Sequence, residues 1–178
     1  KGAPYAKQVN YADYSNTGAR LRQKTNPGVI FDYTETCFLL ADAASRGFNV
    51  GADASTYYTK GIEASMKFWG VSDANAQTYL ARPDVAFATA SGTDKQKIAY
   101  QLWIAYYNRG FEAWTEYRRL DYPILVAPPT AVQEAEGKVP VRNIYSTSDK
   151  TLNAANYEAA SAAIGGDLMT TKIFWDKF

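Results

Sequence analysis

The sequence predicts a mainly α-helical protein with long irregular loops, and three observations support this fold class. Apolar residues recur at the three- and four-residue spacing of a helix face in several segments. Glycine or proline follows these segments, as Gly47 and Pro83 do. Alternation of apolar and polar residues is weak, and only residues 124–126 and 139–141 are predicted to pair as short strands.

The first predicted helix follows an irregular stretch of turn-forming residues at positions 1–28. Asp32 is its predicted N-cap, and Glu35 stands three residues later, as in a capping box. Gly47 is expected to end the helix, because glycine readily adopts the left-handed conformation found there. The predicted apolar face consists of Tyr33, Cys37, Leu40 and Ala44.

A second helix is predicted over residues 53–69, and Gly70 ends it. Together the two helices form a helix–turn–helix unit whose length is close to that of a tetratricopeptide-type repeat. Gly61 has no side chain and would let them approach closely. A short helix over residues 73–81 and a loop over residues 83–92 are predicted next.

The longest predicted helix covers residues 94–120 and opens with a capping box formed by Thr93 and Gln96. An aromatic stripe along it is predicted to be buried core and consists of Trp103, Tyr107, Trp114 and Tyr117. Gly110 lies in the helix interior, where glycine costs about 1 kcal/mol. A close crossing with another element is therefore predicted at Gly110.

Helical periodicity disappears after Pro123. Turns are predicted over residues 143–149, and a short helix over residues 154–163, which Gly165 and its neighbouring glycine would end. The C-terminal segment, residues 172–178, is apolar enough to dock onto the body of the protein.

The composition is that of a globular protein: of 178 residues, 47% are apolar and 21% charged. No window approaches the roughly 20 uninterrupted apolar residues of a membrane-spanning helix. A net charge of +1 gives no reason to expect nucleic acid as a partner. The chain has no histidine, which excludes histidine-based catalysis and argues against zinc. Its single cysteine, Cys37, is predicted to be a buried hydrophobic residue.

The carboxylates of Glu112 and Glu116 lie one helical turn apart and could act as a catalytic pair. Arginines at positions 109, 118 and 119 are close in sequence, however, and helical Glu–Arg pairs are common structural features. We assign the two glutamates to the scaffold and predict no catalytic residue.

Aromatic residues outside the stripe are the predicted ligand-binding candidates: Trp69 at a helix end, Tyr79 and Phe87. Aromatic rings suit sugars because they cover the apolar C–H faces of the ring. For each of these residues, however, the interpretation that we favour is a partly buried anchor. Asp149 and Asp167 lack the ligand spacing of a calcium loop, so no metal site is predicted.

Several segments, in the correct order, resemble one known family. They include residues 33–43 (YTETCFLLADA), 58–71 (YTKGIEASMKFWGV), 108–123 (NRGFEAWTEYRRLDYP) and 139–145 (VPVRNIY). The closing segment joins Gly165-Gly166-Asp167 to Phe174-Trp175-Asp176-Lys177. The chain resembles the C-terminal half of the SusD/RagB family.

This resemblance implies a tetratricopeptide-like helical scaffold that belongs to a lipoprotein of the outer membrane, at the cell surface. It implies a protein that binds a nutrient, often an oligosaccharide and sometimes a peptide. The expected partner is a TonB-dependent SusC-type transporter, which receives the nutrient. No cofactor and no enzymatic activity belong to that role.

Two departures from the family pattern affect the interpretation. Tyr145 is followed by Ser146, where the family has proline. The chain is also shorter than family members and lacks their lipid-bearing N-terminal cysteine, so contact with the membrane is expected only through an anchor outside this sequence. Residues 1–178 are interpreted as a single domain or as the C-terminal fragment of a larger one. The alternative function is a helical-repeat scaffold for protein–protein interaction without a nutrient role.

Overall fold

The computed structural model describes residues 1–4 and 7–176, and the regular elements in this part of the chain are helical. The α-helices are α1 (Tyr33–Ser45), α2 (Ala54–Phe68), α3 (Asp73–Leu80), α4 (Asp94–Ala105), α5 (Gly110–Leu120), α6 (Thr147–Leu152) and α7 (Ala154–Ala163). Short 3₁₀ turns cover Tyr11–Asp13, Ala19–Arg22 and Gln133–Ala135. The predicted mainly α fold is confirmed. None of the described helices is both long and apolar enough to cross a bilayer.

The predicted strand pair at residues 124–126 and 139–141 is wrong, since neither described segment forms a strand. Pro140 has no N–H to donate to a ladder. The Val141 N–H instead donates to the carbonyl of Met169 at 2.8 Å, which joins two irregular segments.

The described residues divide into two compact units. One is formed by residues 29–124 and contains α1 to α5. The other combines residues 1–28 with the chain from residue 125 onward and contains α6 and α7.

The N-cap of α1 lies where the sequence places it, and α2 begins within one residue of its predicted start. Asp32 accepts a hydrogen bond from the Glu35 N–H at 2.8 Å, and Asp53 accepts one from the Thr56 N–H at 2.7 Å. The predicted buried face of α1 is wrong in part, because Tyr33 is 63% exposed. The buried residues of α1 are Thr34, Cys37, Phe38, Ala41 and Asp42. The burial of Cys37 is confirmed.

Helices α1 and α2 pack closely at Gly61, as predicted. A Cβ atom at Gly61 would lie 2.8 Å from Cε2 of Phe38, which is too close for any side chain. Phe38 is fully buried and meets the ring of Tyr58 edge-on, with centroids 6.2 Å apart. Ile98 and Leu102 of α4 complete this core at 0% exposure.

The single long helix predicted over residues 94–120 is wrong, because two helices occupy this segment. Helix α4 ends at Ala105, and Asn108 adopts a left-handed conformation at φ 66°. Asparagine tolerates this conformation better than most residues, which allows the break. Gly110 begins α5, and a Cβ there would meet nothing within 4 Å, so the close crossing predicted at Gly110 is also wrong.

This break also overturns the predicted aromatic core stripe. Trp103 is 38% exposed and Tyr107 is 55% exposed, while Trp114 and Tyr117 are half-buried. The face of α4 that enters the core carries Ile98, Ala99, Gln101 and Leu102. The prediction treated residues 94–120 as one continuous helix. Because the helix breaks after Ala105, residues on either side of the break no longer lie on one common face.

The capping box at the start of α4 is present as predicted and gives a test of local stability. Thr93 Oγ1 accepts from the Gln96 N–H at 3.3 Å, and Gln96 Oε1 accepts from the Thr93 N–H at 2.9 Å. Thr93→Ala is expected to lower the free energy of unfolding by about 1 kcal/mol. Urea unfolding followed by circular dichroism measures the change. Thr115→Ala, at an exposed site inside α5, is the control, and an equal loss there would contradict the capping role.

Helix α7 has the predicted bounds and is followed by Gly165 and Gly166 at φ 84° and 116°. Helix α6 replaces part of the turn region predicted over residues 143–149. Ser146 caps it by accepting from the Asp149 N–H at 3.1 Å. Serine and aspartate favour turns and helix N-termini alike, so composition alone does not separate the two.

The C-terminal segment docks less completely than predicted. Asp176 is 4% exposed, and Lys172 Nζ lies 3.0 Å from its carboxylate. Phe174, however, is 83% exposed. Lys177 and Phe178, which belong to the same prediction, lie outside the described residues.

The Asp167 carboxylate joins the segments around α6 and α7. It accepts from Arg142 Nη1 at 2.8 Å and from the Tyr145 N–H at 3.1 Å, and Lys150 Nζ lies 3.0 Å away. Burial alone would raise the pKa of Asp167, but these hydrogen bonds and charges outweigh it and lower the pKa below its usual value of 3.8.

This lowered pKa predicts a pH dependence of stability. The unfolded chain binds the Asp167 proton at a higher pH than the folded chain does, so the stabilisation is present above about pH 4 and is lost as the pH falls through the folded pKa. We expect the difference in unfolding free energy between the native chain and Asp167→Asn to shrink as the pH falls from about 5 to about 2. Urea titrations across this range measure it. A constant difference would contradict the role of this carboxylate.

Candidate functional site

A groove of about 720 Å³ lies beside α2, within the unit formed by residues 29–124. Its walls come from residues 32–34 at the start of α1, from one face of α2, from Val71, and from Asp73, Ala76 and Gln77 of α3. This volume falls in the range of small-molecule sites, roughly 300–1,000 Å³. The α2 face consists of Lys60, Glu63, Ala64, Lys67 and Phe68, whose spacing of three and four residues places them on one side of the helix.

The polar groups of the groove are arranged for hydrogen bonding. Gln77 Nε2 donates to Glu63 Oε1 at 2.8 Å, which links α3 to α2 and orients both side chains. Lys67 is exposed on the same helix face, one turn beyond Glu63. Asp32, just before α1, also lines the groove, and its carboxylate lies 3.2 Å from Arg109 Nη1. Such a set can bind hydroxyl or amide groups of a ligand.

An aromatic cluster continues from the groove along the end of α2. Phe68 lines the groove and meets Trp69 edge-on, with ring centroids 5.2 Å apart. Trp69 in turn lies 5.5 Å from the ring of Tyr107, which is 55% exposed. The predicted candidate Trp69 therefore neighbours the groove through Phe68.

The structure places the other two aromatic candidates elsewhere in this unit. Tyr79 lines a second cavity of about 160 Å³, and its hydroxyl lies 3.1 Å from Gln101 Oε1. Phe87 packs on the buried ring of Tyr58, with centroids 5.0 Å apart. Neither Tyr79 nor Phe87 lines the groove beside α2. The ligand-binding role of Trp69 and Tyr79 stays a prediction.

Glu116 of α5 belongs to a charged cluster that also involves α1. Glu116 pairs with Arg119 at 2.5 Å, as the sequence predicts, and Arg119 reaches Asp42 of α1 at 2.6 Å. Glu112 lines a cavity of about 220 Å³ together with Glu116. No cluster of potential metal ligands occurs among residues 1–4 and 7–176.

Sequence reasoning missed the groove residues Lys60, Glu63, Lys67 and Gln77. The three residues of α2 recur at helical spacing, which is a detectable signal. Their meeting with α3 through Gln77 is a tertiary contact that periodicity does not reveal.

Comparison with known proteins places this chain in a family. The SusD-like family model, described as "Starch-binding associating with outer membrane", matches residues 1–146. The chain belongs to the SusD-like family. The predicted family resemblance and the SusD-like helical fold are thus confirmed.

Solved structures of SusD-like proteins resemble this member closely in fold. A SusD-like protein described as Bacteroidetes AC2a is 30% identical, with a TM-score of 0.78, over 90% of this chain and 33% of its own. A chitin-binding protein is 35% identical, with a TM-score of 0.66; the match covers 83% of this chain and 33% of that protein. A chitin-binding SusD homologue from Flavobacterium johnsoniae is 30% identical, with a TM-score of 0.64; the match covers 81% of this chain and 36% of the homologue. This SusD-like chain therefore spans about a third of the length of these structures. No curated protein matches it.

Proposed function

We propose that this SusD-like chain binds a glycan nutrient in the groove beside α2 and delivers it, at the cell surface, to a TonB-dependent SusC-type transporter in the outer membrane. The observation that carries the proposal is the groove itself, which combines aromatic, apolar and hydrogen-bonding residues in about 720 Å³. The family description, starch binding and association with the outer membrane, supports both the ligand class and the location.

The groove has the chemistry that sugar recognition requires. Phe68 and the exposed ring of Tyr33 offer flat apolar faces for the C–H surfaces of a pyranose. Glu63, Lys67 and Gln77 offer acceptors and donors for its hydroxyl groups. Shape, stacking and a few hydrogen bonds of this kind correspond to an affinity of roughly micromolar, about −8 kcal/mol.

The relatives support a glycan in preference to a peptide. Two solved relatives, 35% and 30% identical to this chain, are described as chitin-binding. Binding of this kind needs neither a cofactor nor a covalent step, which is consistent with a non-enzymatic role.

A protein-interaction role is the second candidate, and a different surface favours it. Tyr100, Trp103, Ile104 and Tyr107 on and just after α4 are each at least 38% exposed. An exposed apolar stripe of this kind is typical of interaction surfaces. This role predicts that alteration of the α4 stripe, and not of the groove, abolishes function.

Calorimetric titration of the full chain with starch, cellulose and chitin oligosaccharides tests the glycan proposal. Phe68→Ala removes the stacking ring of the groove and is expected to weaken binding about tenfold, on the order of 1.4 kcal/mol. Phe48→Ala, at a 66% exposed site that does not line the groove, is the matched control. Circular dichroism confirms that both variants fold.

Two results would count against the proposal. If the full chain bound no oligosaccharide, glycan binding would be wrong and the interaction role would take its place. If binding were equal in Phe68→Ala and Phe48→Ala, the ligand would lie outside the groove beside α2.

A further inference from the structure

The face of α2 that lines the groove places an acceptor, a donor and an apolar surface within one turn of each other. Glu63 and Lys67 are four residues apart on the helix, so their side chains lie side by side, with Cβ atoms roughly 6 Å apart. The Glu63 carboxylate is oriented by Gln77 at 2.8 Å and keeps further acceptor capacity. Lys67 supplies an ammonium donor.

Beside these polar groups the groove is apolar. Ala64 and Phe68 lie on the same face of α2, and Val71 and Ala76 line the groove from the segment that follows. Ala76 is 5% exposed, and Ala64 and Val71 are half-buried. A hydroxyl group placed against this apolar surface would lose its hydrogen bonds to water without gaining a partner.

The charges of the groove argue against an anionic ligand. Two ammonium groups, Lys60 and Lys67, stand against three carboxylates, Asp32, Glu63 and Asp73. Arg109 is shared between Asp32 and Glu35, so the groove has no excess of positive charge. A uronate or sulfated sugar would gain little net attraction from such a site.

An acetamido group matches all three features at once. It carries an N–H donor, a carbonyl acceptor and a methyl group in one plane, which correspond to the Glu63 carboxylate, the Lys67 ammonium and the apolar surface of Ala64, Val71 and Ala76. On the basis of the proposed glycan-binding function, we infer that this groove selects a neutral oligosaccharide that carries N-acetylamino sugars.

Three tetrasaccharides with the same β-1,4 linkage, built from N-acetylglucosamine, glucose or glucosamine, test this inference by calorimetric titration of the full chain. The acetylated ligand is expected to bind about tenfold more tightly than each of the other two, because both lack the methyl and carbonyl groups. Val71→Thr, which replaces a methyl group by a hydroxyl at constant shape, is expected to remove most of this preference. Val126→Thr, at an 82% exposed site, is the matched control.

Four other results would contradict this inference, each at a different step. Equal affinity for the acetylated and the glucose ligand overturns the inference and leaves the proposed glycan binding intact. Equal or tighter binding of the glucosamine ligand overturns it in favour of charge attraction to the carboxylates. A preference that survives both Val71→Thr and Glu63→Ala overturns the assignment to this groove. Binding of no oligosaccharide overturns the inference together with the proposed function.

Discussion

Phe38→Ala is expected to lower the free energy of unfolding by about 3–5 kcal/mol. Phe38 is fully buried, fills the space opposite Gly61 and meets the ring of Tyr58 at a centroid distance of 6.2 Å. Its removal leaves a cavity between α1 and α2 that the surrounding side chains fill only in part, because a packed core relaxes incompletely around a deleted ring. Urea unfolding followed by tryptophan fluorescence measures the loss.

Phe111→Ala is the matched control for this prediction, because Phe111 is 84% exposed. The same chemical change there is expected to alter stability by less than about 0.5 kcal/mol. If Phe38→Ala cost no more than this control, the core between α1 and α2 would not determine the stability of the chain.

Asp42→Ala is expected to destabilise the chain by a similar amount, about 3–5 kcal/mol. The Asp42 side chain is 8% exposed and contacts two arginines, Arg119 Nη1 at 2.6 Å and Arg46 Nε at 3.0 Å. Burial acts to lower the pKa of Arg119, but hydrogen bonds to Glu116 and Asp42 outweigh it and raise the pKa. Arg119 thus stays charged, and loss of Asp42 leaves that partly buried charge with one fewer partner.

Thermal and urea unfolding measure this effect, with Asp13→Ala at an exposed site as the control. A double-mutant cycle with Arg119→Met sharpens the test, since coupled residues give a non-additive result. The double variant is expected to lose less stability than the sum of the single variants. Additive losses would show that the contact between α1 and α5 contributes nothing beyond its separate groups.

Helix α2 connects the stability of the chain to the proposed function. One side of it enters the core through Tyr58 and Ile62, which are at most 3% exposed. Another side presents Glu63 and Lys67 to the groove. Because both sets lie on one rigid helix, changes in the core that shift α2 are expected to disturb the groove as well.

Local features of this fold could be predicted well from the sequence. The N-caps at Asp32 and Thr93, the end of α2 before Gly70 and the bounds of α7 all agree with the structure. Each depends on contacts within a few residues, such as a side chain that accepts from a backbone N–H three positions later. The family resemblance also rests on short segments of sequence and is confirmed by the family match.

The sequence by itself determined the helical class, the caps and the family, because these follow from local hydrogen bonding and from the order of short motifs. Only the tertiary structure decided where the helix after Thr93 breaks, which aromatic residues are buried and which residues line the groove. Arg109 follows that break and pairs with Glu35, 74 positions earlier in the chain. Gln77 meets Glu63 across two helices. Burial and site geometry depend on such distant partners, and the periodicity of one segment carries no information about them.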